Sequence, residues 1–171
     1  KERIRNHELK PLFLKHELMI VEIHIALSVG VRGTPLSLME WREGRELFDS
    51  VVVAEHNGHN RLPVRPDAFF VLEDSRRPPG SNRASFFLEA DRSTMNQSRL
   101  QEKLQAYWHY LQQGRHTEKY NIKNFRTITV TITPERARNL CELAQSMLPE
   151  RARKYFLFAP LASLSTDNPA Q

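Results

Sequence analysis

Cysteine is nearly missing from this chain: Cys141 is the only one in 171 residues. No internal disulfide can form, and an intracellular compartment is the default. No apolar run approaches the ~18 residues of a membrane span, and no signal peptide is visible. The first residue is Lys rather than Met, as in a fragment of a longer protein. Internal repeats, heptads, a P-loop and a dinucleotide fingerprint are also missing, which sets those classes aside. No Ser or Cys nucleophile motif is present, and Cys141 falls in a helical stripe as a core residue. His56 and His59 have HxxH spacing in a polar loop, but no cysteine or third ligand stands near them, so zinc is disfavoured.

What is present is ordinary globular material. Apolar residues make up 40% and charged residues 26% of the chain, enough for a sizeable core. The length favours one domain, read as residues 1–162, with a polar and disordered tail over 163–171. Lys and Arg number 25 against 20 acids, a net charge of +5. That balance favours phosphate polyanions as partners. Arg61, Arg65, Arg76, Arg77, Arg83, Arg92 and Arg99 all flank one acidic cluster in sequence. A solubilised surface explains the same charge.

That cluster belongs to the most informative stretch, Arg65 to Asp91. RPDAFFVLED and ASFFLEAD are apolar runs that fit strands covered on both faces. The breaker-rich SRRPPGSN between them makes the pair an antiparallel hairpin. Glu89 and Asp91 then share a strand face. If Glu73 opposes Ser85, Asp67 opposes Asp91; a slide of two residues puts Asp67 opposite Glu89. Either register gathers three carboxylates at one end. Like charges that close repel, and a hard divalent cation would relieve them. The plain alternative is three solvated acids at strand ends.

The rest of the chain reads as alternating elements. Pro11 to Val29 is a helix with Leu14, Leu18, Val21 and Ile25 on one face; Met19, Ile20 and Ile23 suggest cover on more than one side. Glu17 and Glu22 flank the stripe, and spacing does not choose which of them leans into a site. His16 and His24 read as helix-edge residues. Pro35 to Trp41 and Val51 to Ala54 are short strands, Glu43 to Phe48 a helical turn, and Glu55 to Pro63 a polar loop. Asn96 to Gln113 is a helix with the stripe Leu100, Leu104, Tyr107 and Leu111, and with Lys103 and Tyr110 on the same broad face. RTITVTIT from Arg126 is a strand. Pro134 to Met147 is a helix capped by Thr133. A short helix near Glu150 and a strand over Tyr155 to Phe158 follow.

The stretches RPDAFFVLE, FFLEADRST, EKLQAYWHY and FRTITVTITPERARNL, with the helix around His16, resemble the replication-relaxation family of bacterial plasmids and mobile elements. The core resembles that of PD-(D/E)XK nucleases. The resemblance implies an α/β fold with a central mixed sheet flanked by helices (αβββαβ). It implies Mg²⁺ or Mn²⁺ held by Asp67 and Glu89, with Asp91 as further ligand or base and Glu22 or Glu17 completing the sphere. The superfamily's lysine two residues after its glutamate is Asp91 here, and Lys103 in the next helix stands in for it. Catalysis would then rest on Asp67, Glu89, Asp91 and Lys103. The implied function is a DNA endonuclease or nickase in plasmid replication, relaxation or mobilisation. A non-catalytic DNA-binding accessory protein on the same fold is the alternative. Arg65, Arg92, Arg99 and Tyr107 are candidate DNA contacts; core packing is the other role for Tyr107. The resemblance also implies a bacterial cytoplasmic location, replication or mobilisation proteins as partners, and a winged-helix segment that would precede Lys1.

Overall fold

The computed structural model describes residues 2–55, 58–92 and 96–164, the side chains of residues 2–10, 12 and 55 aside. His56 of the HxxH pair and residues 165–171 of the expected tail lie outside the described residues. Helix α1 (Glu2–Gly30) leads into β1 (Leu36–Glu43), a 3-10 turn at Arg45–Leu47, β2 (Asp49–Glu55), β3 (Gly58–Val64), β4 (Ala68–Asp74) and β5 (Arg83–Asp91). Then come α2 (Gln97–Gln112), α3 (Arg115–Tyr120), β6 (Arg126–Thr131), α4 (Pro134–Met147), α5 (Glu150–Arg153) and β7 (Phe156–Pro160). Among the described residues no helix is long and apolar enough to cross a membrane.

Five strands form one mixed sheet in the order β1-β4-β5-β6-β7. The β1–β4 and β4–β5 pairs are antiparallel, while β5–β6 and β6–β7 are parallel. The parallel pairs need crossovers, and α2 with α3, then α4 with α5, supply them. Side-chain alternation splits the core in two. Ala68, Phe70, Leu88, Ala90 and Val130 face α1. Phe69, Val71, Phe87 and Phe156 face the other way, toward α2, α4 and the separate β2–β3 pair. The expected mixed α/β sheet with flanking helices is therefore present. The hairpin is too, and both its strands are covered on both faces, as their unbroken apolar runs required.

Two expectations are corrected. The stretch over 55–63 is not a polar loop throughout: most of it is β3, paired antiparallel with β2. Its first four residues are exposed, and only Leu62 and Val64 turn inward. Alternation this brief gives little sequence signal. In α1 the covered face is also different. Met19, Ile20 and Ile23 are buried against the sheet, while Leu14, Leu18, Val21 and Ile25 stay at least half exposed.

Helix α2 buries Leu100, Leu104 and Tyr107 of its stripe, while Leu111 is half-buried. Asn96 caps it, its side chain accepting from the Arg99 amide at 3.0 Å, and Tyr110 is buried too. Gly114, at φ 70°, lets the chain turn into α3. Asp49 ties this corner together. It accepts from Arg115 at 2.8 Å, from the Tyr110 hydroxyl at 3.1 Å and from the Ser50 amide at 2.8 Å. Burial acts to raise the Asp49 carboxyl, but these donors outweigh it and hold it below its ordinary value of 3.8. A depressed carboxyl contributes stability that is present above the unfolded value and lost as pH falls through the folded one. Asp49→Asn is expected to cost about 1–3 kcal/mol at neutral pH, since it removes the charge facing Arg115 and leaves one oxygen for three donors that now share two. Urea denaturation of both proteins should show the difference shrinking once pH drops below 3.8, the ordinary carboxyl value.

Candidate active site

The β4–β5 register pairs Ala68 with Leu88 and Glu73 with Arg83. Continued by one residue, it sets Asp67 opposite Glu89, the second of the two even registers. Glu73 is matched with Arg83, to which it is ion-paired at 2.7 Å. Asp67 sits just ahead of the strand. Its amide donates to the Leu88 carbonyl at 3.0 Å, and its own Oδ2 accepts from the Ala90 amide at 2.7 Å. The side chain thus takes a position where a further ladder carbonyl would stand. Pro66 beside it is fully buried. The Asp67 carboxylate therefore lies at the mouth of the strand, where both helical layers reach it. From α1, His16 Nε2 donates to its Oδ1 at 3.2 Å. That hydrogen bond holds the His16 imidazole above its ordinary value despite burial.

Glu89 is 5% exposed. Two donors from α2 share its carboxylate: Lys103 Nζ at Oε2, and the Tyr107 hydroxyl at Oε1, 2.5 Å away. The i, i+4 spacing stacks these two residues on one helical face. Burial pushes the Glu89 carboxyl above its ordinary value, and the charge of Asp67 adds to the rise, against the pull of Lys103. Burial acts the other way on Lys103, but the charges of Glu89, Asp67 and Asp91 outweigh it, so the ammonium is held above its ordinary value. Burial pushes the Tyr107 hydroxyl well up, so it stays a donor. One cation thus sits among three acids.

Asp91, 3% exposed, is held by Arg136 of α4, whose Nε donates to Oδ2 at 2.7 Å. Nothing in the sequence marks Arg136, because an arginine in the first turn after a Thr cap carries no chemical signature. His16 reads as a helix-edge histidine for a similar reason: such residues are common, and only the fold brings it to Asp67. Among the described residues no group of three or more His, Cys, Asp and Glu side chains converges as a ready metal cage.

The peripheral candidates scatter. Glu22 is exposed and lies about 120° around α1 from His16, so it is turned away from the acids. Glu17 is nearer, and its charge acts on the His16 ring. Tyr107 is buried, with its hydroxyl engaged, and offers no face to a base. Arg65 and Arg99 are exposed. Arg65 lies over the Phe48 ring at 5.5 Å, and Arg92 donates to the Lys15 carbonyl at 2.9 Å. Arg76 and Arg77 pair with Asp74, and Arg83 with Glu73, at the hairpin's turn. That turn is roughly 20 Å from Asp67 along a seven-residue strand, so these three do not surround the acids.

The site opens on one side only. Side-chain exposure is 30% for His16 and 20% for Asp67, and 34% for Lys103 against 6% for Glu89. Behind Glu89 and Asp91, between α2, α4 and the sheet, lies a cavity of about 30 Å³ lined by Leu100, Leu140 and Phe158 among others. It is too small for a nucleotide, and the more exposed groups, Lys103, His16 and Asp67, lie outside it or at its edge.

Lys103→Met leaves Glu89 buried without its cation. Breaking a buried pair costs ~3–5 kcal/mol; because Lys103 is a third exposed, about 2–3 kcal/mol is expected here. An acid raised in the folded state is penalised above its unfolded value, so the loss should be largest at neutral pH and shrink toward pH 4.5, the ordinary glutamate value. Adding Glu89→Gln should recover most of it. Chemical denaturation of the four proteins of this cycle measures the coupling directly.

Neither a curated protein nor a solved structure matches the chain. A family model does: replication-relaxation, over residues 1–124. The matched span contains Asp67, Glu89, Asp91, Lys103 and Tyr107, and stops before β6 and Arg136. It takes in well over half of the 171 residues, and with it the whole hairpin and the helix that holds Glu89; this chain belongs to the replication-relaxation family, which ties it to plasmid replication or relaxation and to DNA and replication-related partners.

Proposed function

We propose that the chain cuts a DNA phosphodiester by divalent-metal-assisted hydrolysis in plasmid replication, relaxation or mobilisation. The observation that carries this reading is the opposition of Asp67 and Glu89 on neighbouring strands, with Lys103 and Tyr107 delivered to Glu89 by α2. It is the arrangement the resemblance to PD-(D/E)XK nucleases implies, with the missing motif lysine supplied from the next helix.

The donor set suits Mg²⁺ or Mn²⁺. Mg²⁺ is commonly held by one or two carboxylates plus waters and substrate oxygens, rather than by an all-protein cage. Asp67 and Glu89 would be those two ligands, while Asp91, already bound by Arg136, acts through its charge on Lys103. When bound, the cation would polarise the phosphate and activate a water for attack. The chain's own residues do the rest. The Ala90 amide and His16 fix the two oxygens of Asp67. Tyr107 fixes one oxygen of Glu89. Lys103, cationic at neutral pH and partly open to solvent, is placed to offset charge developing on the phosphate. The apolar packing behind Glu89 keeps bulk water from that side, which strengthens each of these interactions.

A second reading, a DNA-binding accessory protein that keeps the fold without catalysis, is favoured by one specific observation. Asp67, Glu89 and Asp91 each already have a cationic partner within the chain, namely His16, Lys103 and Arg136. Calorimetric titration with Mn²⁺ and cleavage of supercoiled plasmid in Mg²⁺, Mn²⁺ and EDTA separate the two. The nuclease reading expects thermal stabilisation by metal that Asp67→Asn and Glu89→Gln remove. It also expects a Lys103→Ala rate loss of about 10²-fold or more. Absence of metal binding at millimolar concentration would leave the accessory reading. In that case DNA affinity should still fall steeply with salt.

A further inference from the structure

Helix α1 has two apolar faces, and the sheet covers only one. Met19 and Ile20 are 3% exposed and Ile23 1%, whereas Leu14 is 58% exposed, Leu18 56%, Val21 50% and Ile25 58%. The two sets point in opposite directions, about 180° apart around the helix. The exposed four are spaced 4, 3 and 4 residues, the a/d spacing of a coiled-coil seam. The run is visible in the sequence as an apolar stripe; its exposure in the fold makes it informative.

We infer that this seam is a docking surface for a second copy of the chain, with the two α1 helices packed antiparallel about a two-fold axis. The axis passes between Met19 and Ile20, so that Leu18 meets the partner's Val21 and Leu14 meets the partner's Ile25. Charge decides the direction. In an antiparallel pair the residues flanking the seam meet their own kind of position. Lys15 then faces the partner's Glu22, twice by symmetry, and Glu17 faces the partner's His24. In a parallel pair Glu17 would face the partner's Glu22, like against like, also twice. Arg92 adds positive charge on the Lys15 edge, since its guanidinium donates to the Lys15 carbonyl at 2.9 Å. The pairing gives exposed Glu22 a role on the face turned away from the acids. A closed two-fold contact of this kind does not propagate into fibres.

Four apolar side chains per copy make a smaller contact than the ~800 Å² per partner of a standard interface. The dimer is therefore concentration-dependent.

Sedimentation velocity of the full chain across micromolar and submillimolar concentrations is expected to show a shift from 20.0 kDa to twice that mass. Leu18→Glu is expected to leave only monomer. Lys15→Glu and Glu22→Lys are each expected to weaken the dimer about tenfold, a 1.4 kcal/mol change, and the two together to restore it. Circular dichroism confirms the fold of each variant. If Leu18→Glu disturbs the fold, the charge swap decides alone, because both of its positions are exposed. A wild type that stays monomeric throughout overturns the proposal and assigns the face to a different partner. A dimer that survives Leu18→Glu, or that Lys15→Glu leaves unchanged or tightens, or a series of species beyond dimer, overturns it as well.

Discussion

The structure depends on a carboxylate that is buried in the middle of a sheet. Glu89 lies on a strand with neighbours on both sides and helices above and below. A charge there is tolerated only when it is paired and hydrogen-bonded. That single requirement fixes much else. Helix α2 must bring Lys103 and Tyr107 to the same spot, which sets its rotation about its own axis. With that rotation set, Leu100, Leu104 and Tyr110 fall inward. The aromatic cluster of Phe87, Tyr107, Tyr110 and Phe125 then closes beneath them. Replacing the pair by apolar residues would do the packing as well or better. The pair is therefore weak evidence for stability.

The second acid is held by quite different means. Asp67 is placed by main chain: its amide and its carboxylate both bond to β5, so its position is set by the hairpin itself. Asp91 is placed by a third element, α4, through Arg136. Three acids at one end of the hairpin thus answer to three independent supports. This explains how like charges coexist in one region without a fold-wide penalty. Each has its own local partner in His16, Lys103 or Arg136, and the charge of Lys103 acts on all three.

Much of this was legible in the sequence, because the signals were local. The two Phe-rich runs around SRRPPGSN specify a hairpin. The i, i+4 pairing of Lys103 and Tyr107 specifies a helix face. Parity along the strands restricts Asp67 to two registers. What the sequence left open is what depends on tertiary choice. Between the two registers, the Glu73–Arg83 match lies with the observed one, but surface pairs of this kind are too weak to dictate a reading beforehand. In α1, a helix apolar on two faces does not say which one the sheet takes. The strand β3 is hidden because its first four residues are exposed and polar. Arg136 comes from a segment 45 residues after its acid, and nothing local marks it.

The family match ends at residue 124, yet the fold does not. Strand β6 begins two residues later and pairs along β5 from Phe86 to Asp91, the segment that carries Glu89. Helix α4 beyond it supplies the guanidinium that neutralises Asp91. A polypeptide trimmed to the matched span would present β5 as a bare edge, with unpaired amides and carbonyls and a buried acid stripped of its counter-charge. The unit recognisable by descent is therefore smaller than the unit able to fold. For a chain emerging from the ribosome, Asp91 stays without its guanidinium until α4 has been made, so a shorter product carries an unfinished site.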